Sequence, residues 1–377
     1  MKIERAQLFS VRLPLKRRMS NAQTNVAFRD STLLCLSAEG GLCGWGEASL
    51  FPGFGNETPD GSRAALARVA EGLLGREVAD GSKLVVDICA ATTMSPSANA
   101  AAETAVLDLA ARAQEVPLCD LLVPKAHSLV DHVVCNALLA GDDLADLEAS
   151  VARELAAGFR VLKLKVGVQS VAEDVARVAR VRRIAGDDVT LRLDTNQAYT
   201  IGGALAALEA FAPYAIEYIE QPLAADELEA MAELRNKSPI RIAADESALG
   251  EADALKVIGA SAADIIVIKP SAAGGPTAAV RIARSARRAG IEVVVTSLLD
   301  SAIGVAAAFH AATAIASEGP VHACGLASGT LLASDVATGI PMLGGRLRMP
   351  AGVGLGVQPD ESLVRDLLDR PAIEWRV

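Results

Sequence analysis

Five short apolar runs between residues 161 and 270 each end in a charged residue, and they follow one another at nearly constant spacing. The charged residues are Lys165, Asp194, Glu220, Asp245 and Lys269, which lie 29, 26, 25 and 24 residues apart. A strand, a helix and their two connecting loops need about 30 residues. The spacing therefore predicts successive βα units of a parallel α/β barrel. Each charged side chain is expected at the end of a strand, where barrel enzymes build their active sites.

The composition fits a barrel joined to a smaller domain, and it limits the partners of the chain. The 377 residues exceed one ordinary domain, and 51% of them are hydrophobic while only 3% are aromatic, which suits helices packed on a parallel sheet. A net charge of −10 disfavours nucleic acid and anionic membranes as partners. The six cysteines form no CxxC pair, and no signal-like or 18-residue apolar segment is present. These features predict a soluble, cytoplasmic protein with reduced thiols.

Two domains are predicted from the change of pattern along the chain. Residues 1–125, with strand-like and then helical segments, should form a small α+β capping domain. Residues 126–339 should form the barrel, beginning with a strand at Val133–Leu139, and the Gly-rich segment 340–377 should return to the first domain. Strict alternation of strands and helices predicts a (β/α)7β barrel without a clear eighth helix. Seven barrel helices are expected, at Leu144–Ala157, Val171–Ile184, Gly202–Phe211, Glu227–Asn236, Glu251–Ile258, Thr277–Arg288 and Ala302–Ala316.

Three acidic residues, Asp194, Glu220 and Asp245, end successive predicted strands and should lie side by side at the barrel mouth. Three carboxylates without a nearby Cys or His are ligands that suit Mg²⁺, or Mn²⁺, rather than zinc. Without a cation, three such anions in a partly buried cup would repel one another and raise their pKa values. The alternative is that each acid is a helix N-cap or a surface residue. That alternative explains one such acid well, but not three with a common period.

Lysines flank the three acids on both sides. Lys163 and Lys165 lie two residues apart on one strand, so both should point into the barrel, and Lys269 ends an otherwise apolar strand on the far side. Surface lysines with buried stems are the alternative, but the apolar flanks do not suit them. Crowding by other cations should lower the pKa of a lysine towards neutrality and make it a general base. Two opposed bases predict abstraction of a proton α to a bound carboxylate, with a metal and a lysine stabilising the enediolate.

These motifs resemble the signature of the enolase superfamily, in its muconate lactonizing enzyme subgroup. The likeness extends over essentially the whole chain, including Gly44-Trp-Gly-Glu47 and the Gly352–Gly356 tail. Its barrel motifs are Lys163-Leu-Lys165, Asp194-Thr-Asn196, Glu220-Gln-Pro222, Asp245-Glu-Ser247 and Lys269-Pro270.

The resemblance implies a role for each of these residues. Asp194, Glu220 and Asp245 would bind Mg²⁺, and Lys165 and Lys269 would be the acid/base pair. The substrate would be contacted by Lys163, Ser297 and Asp300. The metal ligands and the lysines would be supported by Asn196 and Glu246. The loops at residues 20–25 and 51–58 would cover the substrate, a small carboxylate.

The reaction type is a further expectation from the resemblance. The segments 322–330 and 50–58 are similar to o-succinylbenzoate synthases, which favours a dehydration with Lys165 as base and Lys269 in a cation–π contact. Muconate or chloromuconate cycloisomerase and N-succinylamino acid racemase or epimerase are the alternatives. Dipeptide epimerase is disfavoured, because Cys324-Gly-Leu-Ala-Ser-Gly329 contains no acid to hold a substrate ammonium. A catalytically silent carboxylate-binding homologue is the non-enzyme alternative. Ala-rich outer helices are compatible with a homo-oligomer.

Overall fold

The structure is a computed structural model that describes residues 1–20, 25–51, 54–80, 95–123, 129–141 and 143–377. The two expected covering loops are therefore described only in part, because residues 21–24 and 52–53 lie outside these ranges. Within them, every helix is too short or too polar to span a bilayer.

A four-stranded antiparallel sheet carries the capping domain. Its strands are β1 (Ile3–Ser20), β2 (Asn25–Ala38), β3 (Cys43–Ser49) and β14 (Ile373–Arg376), in the spatial order β14-β1-β2-β3. Two helices, α1 (Pro59–Leu73) and α2 (Pro96–Ala113), pack on one face of the sheet around an apolar core. Each begins with a proline after a Thr or Ser N-cap, which is a strong start signal for a helix.

The barrel is built on a parallel sheet of seven strands in the order β11-β10-β9-β8-β7-β6-β5. The strands are β5 (Ala137–Leu139), β6 (Val161–Lys165), β7 (Thr190–Asp194), β8 (Ile216–Glu220), β9 (Ile242–Ala244), β10 (Ile265–Ile268) and β11 (Glu292–Val295). The helices on its outside are α3 (Leu144–Ala156), α4 (Val171–Ala185), α5 (Ile201–Phe211), α6 (Leu228–Lys237), α7 (Glu251–Ala260), α9 (Pro276–Arg288) and α10 (Ala302–Glu318). A short helix, α8 (Pro270–Ala273), lies between β10 and α9. The prediction of alternating strands and helices is confirmed, with helix ends within two residues of those expected.

The start of the barrel differs from the single strand expected at Val133–Leu139. The chain there forms β4 (His132–Val134) and then β5, which belong to different sheets. Between them, the Cys135 amide donates to the Gly345 carbonyl and the Asn136 amide donates to the Cys324 carbonyl. These partners are distant in sequence, so a local apolar run could not reveal the break.

A segment without regular strand structure closes the barrel between β11 and β5. Cys324 forms a parallel bridge with Cys135, and Gly325 forms one with Thr296. A side chain at position 325 would overlap the Thr296 hydroxyl, so this approach needs glycine.

The C-terminal tail divides between the two domains. Strand β12 (Met342–Leu343) pairs with β13 (Arg346–Arg348), and β13 pairs with β4, while β14 joins the capping sheet beside β1. A short helix, α11 (Glu361–Asp366), lies between them. The tail therefore does not return to the capping domain as one piece, and the boundaries at 125 and 340 stay predictions.

Gly46→Ala should destabilise the capping domain, because a β-carbon at this position would overlap the Ala101 carbonyl oxygen on α2. We expect the free energy of unfolding to fall by about 1–3 kcal/mol, the usual cost of overpacking a core. Denaturant unfolding of the purified variant measures the change. Gly259→Ala is the control, since its β-carbon meets open space in α7 and replacing a helical Gly stabilises by up to about 1 kcal/mol. Equal stability of the two variants would contradict the close packing of β3 on α2.

Candidate active site

The sheet order brings the charged strand ends together at one rim of the barrel. Lys165 is paired in register with Asp194, and Asp194 is paired with Glu220. Asp245 follows β9, and Lys269 follows β10. Because β7, β8 and β9 lie between β6 and β10, the three acids lie between the two lysines, as their spacing in the sequence predicts.

Ammonium groups contact all three carboxylates. The Lys163 Nζ lies 2.6 Å from the Glu220 Oε1 and 3.0 Å from the Asp194 Oδ2, so it bridges two neighbouring strands. The Lys165 Nζ lies 3.1 Å from the same Asp194 oxygen. On the other flank, Lys269 donates to Asp245. Glu220 is 2% exposed and Lys269 is 7% exposed, so these are buried ion pairs rather than surface contacts.

Burial and the neighbouring charges move the pKa values of these groups in different directions. Burial raises the pKa of Glu220 to about 7, since repulsion from Asp194 and Asp245 adds to it and outweighs the attraction of Lys163. Burial also raises the pKa of Asp245. For Asp194 burial acts the same way, but Lys163 and Lys165 together hold its pKa well below the usual range. Asp194 is therefore the most firmly ionised of the three acids.

For Lys163, which the motifs assign to substrate binding and not to proton transfer, the pKa is raised rather than lowered. Burial by itself would lower the pKa of its ammonium, but Asp194 and Glu220 outweigh that effect and hold the pKa well above the ordinary value. Both carboxylates are in direct contact with the Lys163 ammonium, and this contact is the reason that its pKa is raised. Lys163 is therefore the counter-ion of these two carboxylates in this arrangement.

Asn196 and Gln221 support the charged groups from behind. The Asn196 side chain accepts from Lys165 and donates to the Glu246 Oε1 at 3.1 Å. Burial raises the pKa of Glu246. The Gln221 Oε1 accepts from the backbone amides of Asp245, at 2.9 Å, and Ser247, at 3.1 Å. Sequence reasoning left Gln221 without a role, although it directly follows Glu220, because the positive φ of 41° that turns it inward has no signature in the sequence.

The two residues expected to contact substrate from β11 lie in different surroundings. The Ser297 Oγ lies 2.5 Å from the Ser328 Oγ, which places it beside the segment that closes the barrel. Asp300 is 1% exposed and faces Glu47, Arg29 and the Ser49 hydroxyl in the capping domain. Burial, together with repulsion from Glu47, raises the pKa of Asp300 to about 7. The structure thus places Asp300 at the domain interface, so we do not assign it a substrate contact.

Aromatic residues from the capping domain cover the Lys269 flank. The Lys269 Nζ lies 4.2 Å from the centre of the Phe54 ring, a cation–π distance, and Phe54 packs edge-on against Phe51 at 5.9 Å. Phe51 also packs with Leu298 and Leu299 on the β11 side. Phe51 and Phe54 thus lie beside the Lys269 flank, and a role of this loop in covering a substrate stays a prediction. An open groove of about 800 Å³ among residues 338–363 lies on the tail, and none of the charged rim residues lines it.

Comparison with known proteins agrees with this arrangement. Residues 4–123 match the mandelate racemase / muconate lactonizing enzyme N-terminal domain, and residues 146–363 match the enolase C-terminal domain-like family. The chain belongs to the mandelate racemase / muconate lactonizing enzyme family of the enolase superfamily. The resemblance seen in the sequence motifs is confirmed.

Relatives within this family catalyse several reactions. L-Ala-D/L-Glu epimerase from Bacillus subtilis is 31% identical over 95% of this chain and 97% of its own length. Muconate cycloisomerase 1 from Pseudomonas putida is 30% identical over 80% of each chain. The crystal structure of N-succinyl Arg/Lys racemase from Bacillus cereus superposes with a TM-score of 0.92, at 25% identity and over 100% of both chains. These matches support the epimerase, racemase and cycloisomerase alternatives, and they do not support o-succinylbenzoate synthase.

Enzymes of this family typically depend on a divalent metal, and the rim carboxylates fit one in ligand type. Three hard oxygen donors stand on neighbouring strands at one rim, which suits Mg²⁺ or Mn²⁺. Among the described residues, no three acidic, histidine or cysteine side chains already surround a common point at metal-ligand distances. Each of the three carboxylates is turned towards a lysine instead. The three carboxylates that could bind a divalent metal are therefore on neighbouring strands, and in this structure lysines neutralise their charge.

Gln221→Ala should destabilise the protein more than Gln197→Ala does. Both residues have positive φ, 41° and 66°, so the backbone contribution of alanine is similar. Gln221 is fully buried and accepts from two backbone amides, and each buried amide left without an acceptor costs about 1–3 kcal/mol. The Gln197 side chain accepts from the partly buried Ala225 amide, so a loss of about 1 kcal/mol in stability is expected. Denaturant unfolding measures both changes, and equal losses would show that Gln221 does not support the Asp245 strand end.

Proposed function

We propose that this chain inverts the configuration of a carbon next to a carboxylate, as a racemase or epimerase of small carboxylates. The observation that carries the proposal is the placement of Lys165 and Lys269 at the ends of β6 and β10, on opposite flanks of the three acids. A substrate carboxylate bound beside the metal that these acids would hold would have one lysine amine on each face of its α-carbon. A two-base inversion uses both members of such a pair, whereas a single base is enough for a dehydration.

The proton transfer is balanced between the two lysines. One lysine, as the neutral amine, takes the α-proton, and the electron pair of the broken C–H bond moves into the carboxylate to give an enediolate. The opposite lysine, as the ammonium, donates a proton to the other face and forms the new C–H bond. In the reverse direction the two lysines exchange roles, so each must be able to act as acid and as base.

The remaining groups of the rim orient the substrate and stabilise charge. Lys163 would contact the substrate carboxylate, and Asn196 would orient the Lys165 amine through the contact between them. Asp194, Glu220 and Asp245 would hold Mg²⁺, or Mn²⁺. A bound divalent ion would supply positive charge beside the carboxylate, where negative charge grows as the proton leaves.

An N-acylated amino acid fits the rim better than a peptide with a free amino group. A buried substrate ammonium would need an anionic partner, and residues 324–331 at the closing segment contain no acid. The nearest acid along the chain, Asp335, accepts from the Ala302 amide at the start of α10. Ser297 and Ser328 present hydroxyl groups here instead, which suit an amide or ester oxygen.

Exchange of the α-proton with deuterated water tests the proposal. With Mg²⁺ present, we expect both enantiomers of an N-succinyl amino acid to take up deuterium, in a panel of phenylalanine, leucine, arginine and glutamate derivatives. Lys165→Met should leave exchange of one enantiomer only, and Lys269→Met should leave exchange of the other, because each remaining lysine faces one side of the carbon. Proton NMR and chiral chromatography measure the two rates.

Other products distinguish the competing reactions. Formation of o-succinylbenzoate from its cyclohexadiene precursor, or lactonization of cis,cis-muconate, without inversion of any N-acyl amino acid would contradict the proposal. L-Ala-L-Glu, which has a free amino group, serves as the comparison for the N-acyl preference.

Metal binding should depend on the three rim carboxylates. Titration calorimetry with Mg²⁺, and spin-resonance titration with Mn²⁺, should show one site in the wild type. Glu220→Gln should weaken binding by at least 10-fold, because it removes one charged donor oxygen. Glu246→Gln is the matched control: it lies at the same rim but pairs with Asn196, and a change below 3-fold is expected. Equal weakening by the two variants would contradict the assignment of ligands.

A further inference from the structure

Glu103 joins the capping domain to the barrel helix that follows Lys269. It lies on α2, and its Oε2 accepts from the Thr277 amide in the first turn of α9 at 3.1 Å. The side chain is 6% exposed. Gly275, with φ of +130°, leaves the space that the carboxylate fills, since a β-carbon there would overlap the Glu103 Oε2. A buried carboxylate at a helix N-terminus is stabilised by the unpaired amides and the helix dipole.

Glu47 makes an equivalent contact with the next barrel helix. It lies on β3 and accepts from the Ser301 amide at 3.1 Å, the Ser301 hydroxyl at 2.6 Å and the Gly304 amide at 2.8 Å, all at the start of α10. The side chain is 4% exposed. Again a glycine makes room, because a β-carbon on Gly304 would lie 2.7 Å from the Glu47 Oε2. Two carboxylates of the capping domain therefore close the N-termini of two successive barrel helices.

A short chain of hydrogen bonds connects the Glu103 contact to Lys269. The Lys269 carbonyl accepts from the Ala273 amide at 2.8 Å, and the Pro270 carbonyl accepts from the Gly275 amide at 2.9 Å. Through α8, these bonds link Lys269 to the glycine beside Glu103. A cavity of about 10 Å³ at the same interface is lined by Glu47 together with Pro270 and Ser271. The position of Lys269 thus depends on contacts with the capping domain.

The opposite lysine is held by the barrel alone in the contacts that the described residues show. The Lys165 carbonyl accepts from the Arg177 guanidinium on α4 at 3.0 Å. The Gly167 amide donates to Asp174 on the same helix at 2.6 Å, and Asp174 pairs with Arg177. Both supports of the Lys165 strand end therefore come from the helix that follows it.

We propose that Glu103 and Glu47 are positioning residues through which the capping domain places Lys269, independently of Lys165. This inference rests on the proposed two-lysine function, and it adds that the two lysines are positioned by different domains. Loosening the contact at α9 should slow proton transfer on the Lys269 face only. Loosening the contact at α4 should slow it on the Lys165 face only.

Single-lysine proteins separate the two faces in an experiment. Glu103→Ala and Arg177→Met are each introduced into Lys165→Met, where exchange depends on Lys269, and into Lys269→Met, where exchange depends on Lys165. The probes are the two enantiomers of the N-succinyl amino acid that exchanges fastest in the panel. We expect Glu103→Ala to slow exchange at least 10-fold in the first background and less than 2-fold in the second. Arg177→Met should show the reverse pattern.

Glu103→Gln keeps an acceptor oxygen at the same place and should restore most of the exchange lost in Glu103→Ala. If the alanine variant does not fold, Glu103→Gln is measured in its place. We then expect a smaller decrease of the exchange rate, found only where exchange depends on Lys269. Equal slowing of both faces by Glu103→Ala, or no slowing of either, would overturn the inference while the two-lysine function stands. Absence of exchange in both single-lysine proteins, and in the wild type, would instead remove the proposed function and this inference with it.

Discussion

The rim of the barrel depends on balancing three buried carboxylates with ammonium groups from both sides. An isolated ionised carboxylate is very costly to bury, and here Asp194, Glu220 and Asp245 are each almost fully buried. Lys163 serves two of them at once, and Lys269 serves the third. The balance is uneven, since Asp194 has two lysines and a lowered pKa, while Glu220 has a pKa near 7. The groups that stabilise the fold at this rim are therefore the same groups that the proposed chemistry uses, and a bound divalent ion would take over part of that balance.

A second electrostatic device holds the two domains in one orientation. Glu47 and Glu103 insert at the N-termini of α10 and α9, where unpaired backbone amides point outward. Apolar packing between the domains has little directional preference, whereas these hydrogen bonds have a fixed geometry. Gly275 and Gly304 are needed because any side chain there would occupy the position of the carboxylate. These two contacts fix the capping domain against the starts of α9 and α10.

The parts of this architecture that a sequence can reveal are those set by local periodicity. One βα period brings one strand end to the rim, so the spacing of Lys165, Asp194, Glu220, Asp245 and Lys269 was enough to order them around the barrel. Partners that are distant in sequence decided the rest. The break between β4 and β5 depends on Gly345 and Cys324, and the surroundings of Asp300 come from β2 and β3. Glu103 lies on the helix that packs against the capping sheet, and its contacts with Thr277 and Gly275, both far away in the sequence, distinguish it from an ordinary helical acid.

The unequal support of the two lysines bears on how one barrel serves several reactions. Among the described residues, the Lys165 strand end is supported by Arg177 and Asp174 on α4, a helix of the barrel itself. Lys269 is different, because it contacts Phe54 directly and is joined to α2 through α8 and Glu103. Under the proposed positioning by Glu103, a change of the capping domain at this contact also shifts Lys269. In a two-lysine inversion both positions must be correct, whereas a one-base reaction tolerates a displaced Lys269 that only supplies positive charge. The interface at Gly275 and Gly304 is thus a place where altered lid packing could change the reaction type while leaving the carboxylates and Lys165 unchanged.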